Sequence, residues 1–205
     1  MGVSRGPRPA GARTREGIVR AAGELFAVEG YERGSLRAVA RKAGVDPALV
    51  RHYFESKVAL FVEAMRPPID LSTQAHRIAE GDPAKVGERV MEFFIATWTH
   101  PVHGDRVVAM LRAGLDHPEV ASLVRKVIVE RVIEDVARRV GAQDPAAAAA
   151  SAATQVIGLT LLRHAAKFEP LVSMTPEELT RRFAPVITYH LTGSFPQGNN
   201  SPHGE

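Results

Sequence analysis

The side chains best suited to chemistry in this sequence are hydrogen-bond donors grouped on one short segment, PALVRHY at 47–53. Arg51 carries a planar guanidinium that can pair bidentately with guanine O6 and N7 in the major groove of DNA. His52 can donate to a base or a phosphate, and Tyr53 can donate its hydroxyl to a phosphate. A basic and aromatic surface of this kind is typical of nucleic-acid binding.

Two short helices joined by a tight turn are predicted to present these donors. An apolar stripe with the spacing of one helix face precedes the turn: Leu36, Val39, Ala40 and Ala43. Gly44 marks the turn, because glycine enters positive φ without steric cost. Asp46 is a good N-cap, and Pro47 then occupies the first position of the second helix. The pattern favours a helix-turn-helix, and a plain pair of packed helices is the alternative.

The surrounding sequence strengthens the first interpretation. The run TREGIVRAAGELFAVEGY, which begins at Thr14, and the later run VDPALVRHYFESKVALF resemble the DNA-binding domain of TetR-family transcriptional repressors. The resemblance implies a helix ahead of the helix-turn-helix that completes a three-helix core. It also implies that nine residues contact DNA: Ser35, Arg37, Pro47, Ala48, Leu49, Arg51, His52, Tyr53 and Lys57.

Two of these residues carry more specific expectations. The resemblance implies that Lys57 contacts a phosphate. Arg51 departs from the family pattern, in which an aromatic residue is common at that position. Since arginine pairs well with guanine, Arg51 and Arg37 favour a half-site that contains G·C pairs.

Charge is distributed unevenly along the 205 residues. Residues 1–66 contain 12 Lys and Arg against 7 Asp and Glu, whereas residues 67–205 contain 14 against 16. A basic N-terminal third on a slightly acidic remainder suits a nucleic-acid module attached to a regulatory body. The sequence has no cysteine, so disulfide and thiolate chemistry are excluded.

No segment predicts export or membrane insertion. The N-terminus lacks the apolar region of a secretory signal. The longest uncharged run, Ala146–Leu162, is rich in Ala, Ser and Thr, and a buried helix explains it better than a membrane span. We therefore expect a cytoplasmic protein.

An all-α protein in four parts is predicted, because no stretch alternates with the period of a strand. The parts are a disordered basic arm at 1–13, a helix-turn-helix DNA-binding domain at 14–66, a helical effector-binding and dimerisation domain at 67–193, and a flexible tail at 194–205. Pro67 and Pro68 mark the main boundary. Helices in the C-terminal part are expected at about 84–99, 104–115, 118–140, 145–168 and 176–192. The arginines of the arm either contact DNA or lie in solvent.

The last two helices predict a homodimer through residues 145–192. Helix 145–168 is apolar on nearly every face, and helix 176–192 has one apolar stripe, so one chain cannot easily cover both. The family resemblance also implies dimerisation there. We expect the partner to bury Val156, Leu159, Phe183 and Ile187, and the dimer to read a pseudo-palindromic site.

An aromatic set with few charges predicts a pocket for a small, apolar effector. The candidate ligand-binding residues are Phe93, Phe94, Thr97, Trp98, Met110, Leu111, Gln155, Leu159 and Leu162. The polar candidates are Thr97, His103, Gln155 and Arg163. A packed core requires the same aromatic residues, so the pocket rests mostly on the family resemblance.

The predicted function is that of a homodimeric repressor released from a palindromic operator by the effector. No cofactor is predicted. The eight histidines are not spaced as metal ligands, and no nucleophile or phosphate-loop motif occurs, so neither a metal site nor an enzyme is predicted. Two alternatives remain, a helical enzyme in the C-terminal body and a DNA-binding protein without a sensor. The size of the C-terminal body disfavours the second alternative.

Overall fold

The computed structural model describes residues 10–65, 70–101 and 103–195. These residues contain helices and no strand, so the all-α prediction is confirmed. The chain divides into two compact units, residues 1–67 and residues 68–205. Most of the predicted arm and tail lies outside the described residues, although residues 10–13 of the arm are helical.

The described residues of the first unit form four helices. They are α1 (Ala10–Arg33), α2 (Leu36–Ala43), α3 (Pro47–Tyr53) and α4 (Lys57–Met65). Helix α1 is the helix expected ahead of the helix-turn-helix, and it includes four residues before Thr14. Gly30 forms a kink in it with φ 78°, after which the chain makes one more turn.

The second unit consists of seven further helices among the described residues. They are α5 (Leu71–Ala79), α6 (Val86–Thr99), α7 (His103–Asp116), α8 (Pro118–Val124), α9 (Asp135–Arg139), α10 (Pro145–Thr160) and α11 (Pro176–Thr192). A 3-10 turn, Pro83–Lys85, precedes α6. A π-helical segment, Arg125–Glu134, joins α8 to α9, and a second one, Leu161–Ala165, extends α10.

Aromatic rings fill the core of the first unit. The rings of Phe26 and Phe61 meet edge to face with centroids 5.1 Å apart, and Tyr31 packs on Phe61 at 4.9 Å. Gly34 lies against the same cluster, where an added Cβ would stand 2.4 Å from the Phe26 ring. The chain can therefore turn from α1 into α2 only if this position has no side chain.

Helix α5 is absent from the helices predicted above. Asp70 caps it by accepting a hydrogen bond from the Ser72 backbone N–H at 3.0 Å. Leu71, Ala75 and Ile78 form its buried stripe. Hydrogen bonds from Thr73 and Ser72 hold the pKa of Asp70 below its ordinary value, so this cap keeps its charge to a lower pH than an ordinary aspartate.

Helices α6 and α11 cross at very close range. The Gly87 backbone N–H donates to the buried Thr188 hydroxyl oxygen at 3.0 Å. A Cβ added to Gly87 would stand 2.0 Å from the Ala184 carbonyl oxygen. Only glycine permits this approach, so Gly87 fixes where α11 lies on α6.

Helix α10 has one covered and one uncovered face. Its inner face is buried by the second unit: Ala149, Ala152, Ala153, Val156, Leu159 and Thr160. Its outer face is exposed or half-exposed: Ala147, Ala150, Ser151, Thr154, Gly158, Leu161 and Leu162. The run Pro145–Ala165 is apolar and long enough to cross a membrane by length and composition alone, and 33% of its most apolar window is buried in the chain.

The end of this helix comes earlier than the predicted residue 168. The backbone N–H of Ala166 donates to the Leu161 carbonyl at 2.8 Å, and that of Phe168 donates to the Leu162 carbonyl at 2.9 Å. Lys167 between them has φ 55°. A residue in the left-handed conformation, flanked by backbone hydrogen bonds of this kind, commonly ends a helix. Phe168 therefore lies outside the helix.

The predicted dimer contacts need correction. Val156, Leu159 and Ile187 are 3% exposed or less within the single chain, and Phe183 is half-buried. A partner cannot bury the first three, because helices of the same chain already cover them. The prediction is wrong for these three residues, and only the opposite faces of α10 and α11 are available to a partner.

Replacing Gly87 with alanine should destabilise the second unit. The new methyl group would overlap the Ala184 carbonyl, and overpacking of this kind costs about 1–3 kcal/mol. Gly114→Ala is the matched control, because its Cβ would meet other atoms only at 3.6 Å or more. Urea unfolding at equilibrium measures both changes. A Gly87→Ala protein as stable as the control variant would contradict the proposed closeness of the crossing.

Candidate nucleic-acid interface

Local hydrogen bonds build the two helices of the helix-turn-helix. The Ser35 hydroxyl caps α2 by accepting from the Ala38 N–H at 3.1 Å. Gly44 ends α2 with φ 68°, and the Val45 N–H donates to the Ala40 carbonyl at 3.0 Å. Asp46 caps α3 by accepting from the Ala48 N–H at 2.7 Å. The turn at Gly44 and the cap at Asp46 are those that the sequence predicts, whereas the cap at Ser35 was not predicted.

Packing of the inner faces decides which residues point outward. Val39 and Ala40 of α2 and Val50 of α3 are fully buried, and Phe54 follows α3 as a buried residue. Among the nine predicted DNA contacts, six are exposed: Ser35, Arg37, Pro47, Ala48, Arg51 and His52. The other three, Leu49, Tyr53 and Lys57, are half-buried.

The guanidinium groups of Arg37 and Arg51 are unoccupied by the protein itself. Neither has a hydrogen bond or an ion pair with any residue that the structure describes. By contrast, Arg15 pairs with Glu63 at 3.1 Å, and Lys42 pairs with Glu24 at 3.1 Å. Arg37 and Arg51 therefore keep all their donors for an external acceptor.

Tyr53 and Lys57 have internal partners. The Tyr53 hydroxyl donates to the Gly11 carbonyl at 3.2 Å. The Lys57 ammonium donates to the Glu32 carbonyl at 3.0 Å and lies 4.3 Å from the centroid of the Tyr31 ring. Lys57 thus ties the start of α4 to the end of α1, and two of its three N–H groups remain for a phosphate.

The predicted ligand-binding residues do not all face one space. Phe94, Trp98, Met110, Leu111 and Leu159 are buried, whereas Phe93, Thr97 and Gln155 are half-buried. Leu162 is 43% exposed on the outer face of its helix, so its placement in an enclosed pocket is wrong.

Two of the predicted polar candidates are occupied within the chain. The Thr97 hydroxyl donates to the Phe93 carbonyl at 2.8 Å. The Arg163 guanidinium donates to the Leu171 carbonyl. The Thr97 hydroxyl proton is therefore used within α6, and one of the five N–H groups of Arg163 is used by a carbonyl of its own neighbourhood.

Two cavities of the second unit lie elsewhere. One of about 720 Å³ opens between α6 and α11, with Glu88, Glu92, Ile95, Arg181 and Pro185 in its wall. The other, of about 640 Å³, lies between the start of α10 and the end of α11. None of the nine predicted ligand-binding residues lines either cavity.

A polar residue that the sequence analysis missed, His164, lies beside Trp98. The His164 ring packs on the Trp98 ring with centroids 5.5 Å apart. Burial lowers the pKa of His164, and the neighbouring Arg163 and Lys167 lower it further. No α-helical period in the sequence indicates its position, because the π-helical segment Leu161–Ala165 shifts the register.

The fold and the outward donors define a DNA-binding protein of the helix-turn-helix class. Residues 18–64 match the family model described as bacterial regulatory proteins, tetR family. Residues 84–191 match the model described as tetracyclin repressor-like, C-terminal domain. The chain therefore belongs to the TetR family of transcriptional regulators, as its sequence predicts.

Individual relatives agree with this assignment. The transcriptional regulator UidR of Escherichia coli K12 is 28% identical over 117 residues, which is 55% of this chain and 57% of UidR. The match thus spans little more than half the length of the curated relative. A TetR-family regulator from Streptomyces coelicolor shares 30% identity and a TM-score of 0.63, over 92% of this chain and 99% of that one. NalD of Pseudomonas aeruginosa shares the fold, with a TM-score of 0.65 and 21% identity over 85% and 96% of the two chains.

Removal of the Lys57 ammonium should destabilise the first unit in the absence of DNA. Lys57→Met keeps the aliphatic stem but loses a charged hydrogen bond and a cation–π contact, which we expect to cost about 1 kcal/mol. Lys42→Met removes an exposed ion pair and should change stability by less than about 0.5 kcal/mol. Equal stabilities of the two variants in urea unfolding would show that the internal contacts of Lys57 contribute nothing.

Proposed function

We propose that this protein is a homodimeric repressor that binds a pseudo-palindromic operator and is released from it by a small molecule. The observation that carries the DNA-binding part is the pair of exposed guanidinium groups on α2 and α3 that have no partner among the described residues. Repression is supported by NalD, which is described as the secondary repressor of a multidrug efflux pump. A DNA-binding regulator of this kind acts in the cytoplasm.

Arg51 reads a base in the major groove, and Arg37 is the second candidate for such a contact. Arg51 projects from the last turn of a capped helix that is exposed along its outer side. Its planar fork matches guanine O6 and N7. Lys57 approaches the backbone instead, because an ammonium is a point charge that suits a phosphate. Ser35 and His52 complete the exposed donors on this surface.

Loss of Arg51 should change sequence preference. Arg51→Ala should cost roughly 1–3 kcal/mol at the selected site and relax one base position in each half-site. Arg77→Ala removes an exposed arginine of the second unit and should alter neither quantity. Selection of bound duplexes from a random pool measures preference for both variants. An unchanged base profile for Arg51→Ala would place Arg51 on the DNA backbone.

Dimerisation uses the outer faces of α10 and α11. The outer face of α10 consists mostly of small and apolar residues, yet most of this face is uncovered in the single chain. Half-buried Phe183, Val186 and His190 continue this surface on α11. A second copy would cover both faces and build a four-helix contact with two-fold symmetry. Two recognition helices then reach two half-sites about one helical turn, or a multiple of it, apart.

Gly158 offers a test that leaves the single chain intact. A Cβ at Gly158 would meet nothing within 4 Å in the chain. Gly158→Glu should therefore preserve helix content but place a charge in the dimer contact, giving monomers that have lost specific DNA binding. Ser122→Glu, on the exposed side of α8, is the control. Sedimentation equilibrium distinguishes the states, and a Gly158→Glu dimer as tight as the wild type would exclude this face.

A small molecule would act by shifting a population. The second unit is twice as long as the first. Residues 84–191 match a family model that is described by its likeness to the tetracycline repressor, which is named for a small molecule. An effector that releases DNA must bind more tightly to the form whose two recognition helices do not match adjacent grooves. Reciprocity then requires operator DNA to weaken effector binding by the same factor.

A further inference from the structure

An unpartnered donor lies in the interior of the second unit. Trp98, at the end of α6, is 7% exposed. Its indole Nε1 is buried and has no hydrogen-bond partner among the described residues. An indole nitrogen can only donate, and buried donors in proteins nearly always have an acceptor. This N–H therefore marks a position where an acceptor would be favourable.

A second unpartnered nitrogen belongs to the ring that packs on Trp98. The Nε2 atom of His164 is likewise buried without a partner in the part of the chain that the structure describes. The two rings lie 5.5 Å apart and are inclined by 55°. Two unpaired polar atoms on adjacent rings are unusual, since one alone already requires an explanation.

The backbone around His164 is specialised. His164 lies in the π-helical segment Leu161–Ala165, and such segments are frequent at functional sites. The Arg112 guanidinium donates to the Ala165 carbonyl at 3.0 Å and holds this segment against α7. His164 as a whole is only half-buried, so part of this residue reaches the surface of the second unit.

Each of the two unpaired nitrogens can form a hydrogen bond with an oxygen atom of a ligand. Because its pKa is lowered, His164 is neutral at pH 7, and a neutral imidazole nitrogen either donates or accepts, depending on its tautomer. The indole N–H would donate to such an oxygen. The Nε2 atom would donate to a carbonyl, or accept from a hydroxyl.

We infer that Trp98 and His164 bind the polar end of the effector, and that the effector is a small, mostly apolar molecule with an uncharged carbonyl or hydroxyl oxygen. This inference rests on the proposal that the second unit binds a small molecule. It replaces Thr97 and Arg163 as the polar contacts, because both of those side chains already have backbone partners.

A carboxylate fits this position less well. The nearby guanidinium groups of Arg163 and Arg112 are engaged by the carbonyls of Leu171 and Ala165. The Lys167 side chain is exposed to solvent. A carboxylate next to the buried indole would lose its hydration. The Arg163 and Lys167 charges that act on His164 would offset only part of this cost, because Lys167 is exposed to solvent and one Arg163 N–H already donates to a carbonyl.

The single tryptophan of the sequence allows a direct test. In a ¹⁵N–¹H spectrum the 205-residue chain gives one indole resonance, which belongs to Trp98. Four probes of similar size are titrated: acetophenone, 1-phenylethanol, ethylbenzene and benzoate. Acetophenone or 1-phenylethanol should move the indole proton resonance downfield, as a new hydrogen bond does. Ethylbenzene should not, and benzoate should bind more weakly than the two neutral oxygen compounds.

A variant separates the hydrogen bond from apolar contact. In His164→Phe, the dissociation constant of the oxygen probe relative to that of ethylbenzene should rise about three- to tenfold, the value of one hydrogen bond. If only one oxygen probe shows the rise, that probe identifies the group as carbonyl or hydroxyl. Thr160→Val is the control, since the Thr160 hydroxyl donates to the Val156 carbonyl and its loss should leave the ratio unchanged.

Three results would overturn the inference: no downfield shift with either oxygen probe, an unchanged ratio in His164→Phe, or tightest binding of benzoate. None of them bears on the Arg51 and Gly158 experiments or on release of DNA by other compounds. Failure of this site is therefore distinguishable from failure of the proposed function.

Discussion

The close crossing of α6 and α11 at Gly87 is the contact on which the second unit depends. The Gly87 N–H and the Thr188 hydroxyl satisfy each other in the interior, and the absence of a Cβ lets α6 approach the Ala184 carbonyl. A buried amide and hydroxyl left apart would each be costly, so the bond and the close packing reinforce each other. Because α11 uses one face against α6, its opposite face is left for other contacts.

The arrangement of α10 follows the same logic. Its alanine-rich inner face packs within the unit, and its outer face is apolar but uncovered. In two copies of the chain, the outer faces of α10 could cover each other. Such a contact would explain why a long apolar helix lies at the surface of the single chain. The first unit needs no crossing of this kind, since caps and a glycine turn set α2 and α3 locally. In the proposed function, DNA recognition and pairing of two chains therefore depend on separate parts of the chain.

The sequence predicts what local chemistry determines. The caps at Asp46 and Thr175 depend on neighbours within three residues, and both form as their residue types indicate. The inner face of α10 is different, because a helix apolar on nearly every side does not reveal which face its own chain covers. Val156 and Leu159 were therefore predicted to face a partner, although they pack within their own chain. His164 was missed for a related reason, since a π-helical turn shifts the register that an α-helical period assumes. Helix α5 was missed because it has only nine residues and begins three residues after Pro68, beside the predicted domain boundary.

In the proposed function, two chains present two recognition helices to one DNA site. Native mass spectrometry of the wild-type protein with a duplex obtained by selection from a random pool tests this arrangement most directly, because it counts chains per duplex. We expect an even number of chains on a site whose sequence has approximate two-fold symmetry. A stable complex with a single chain, on a site without such symmetry, would contradict it.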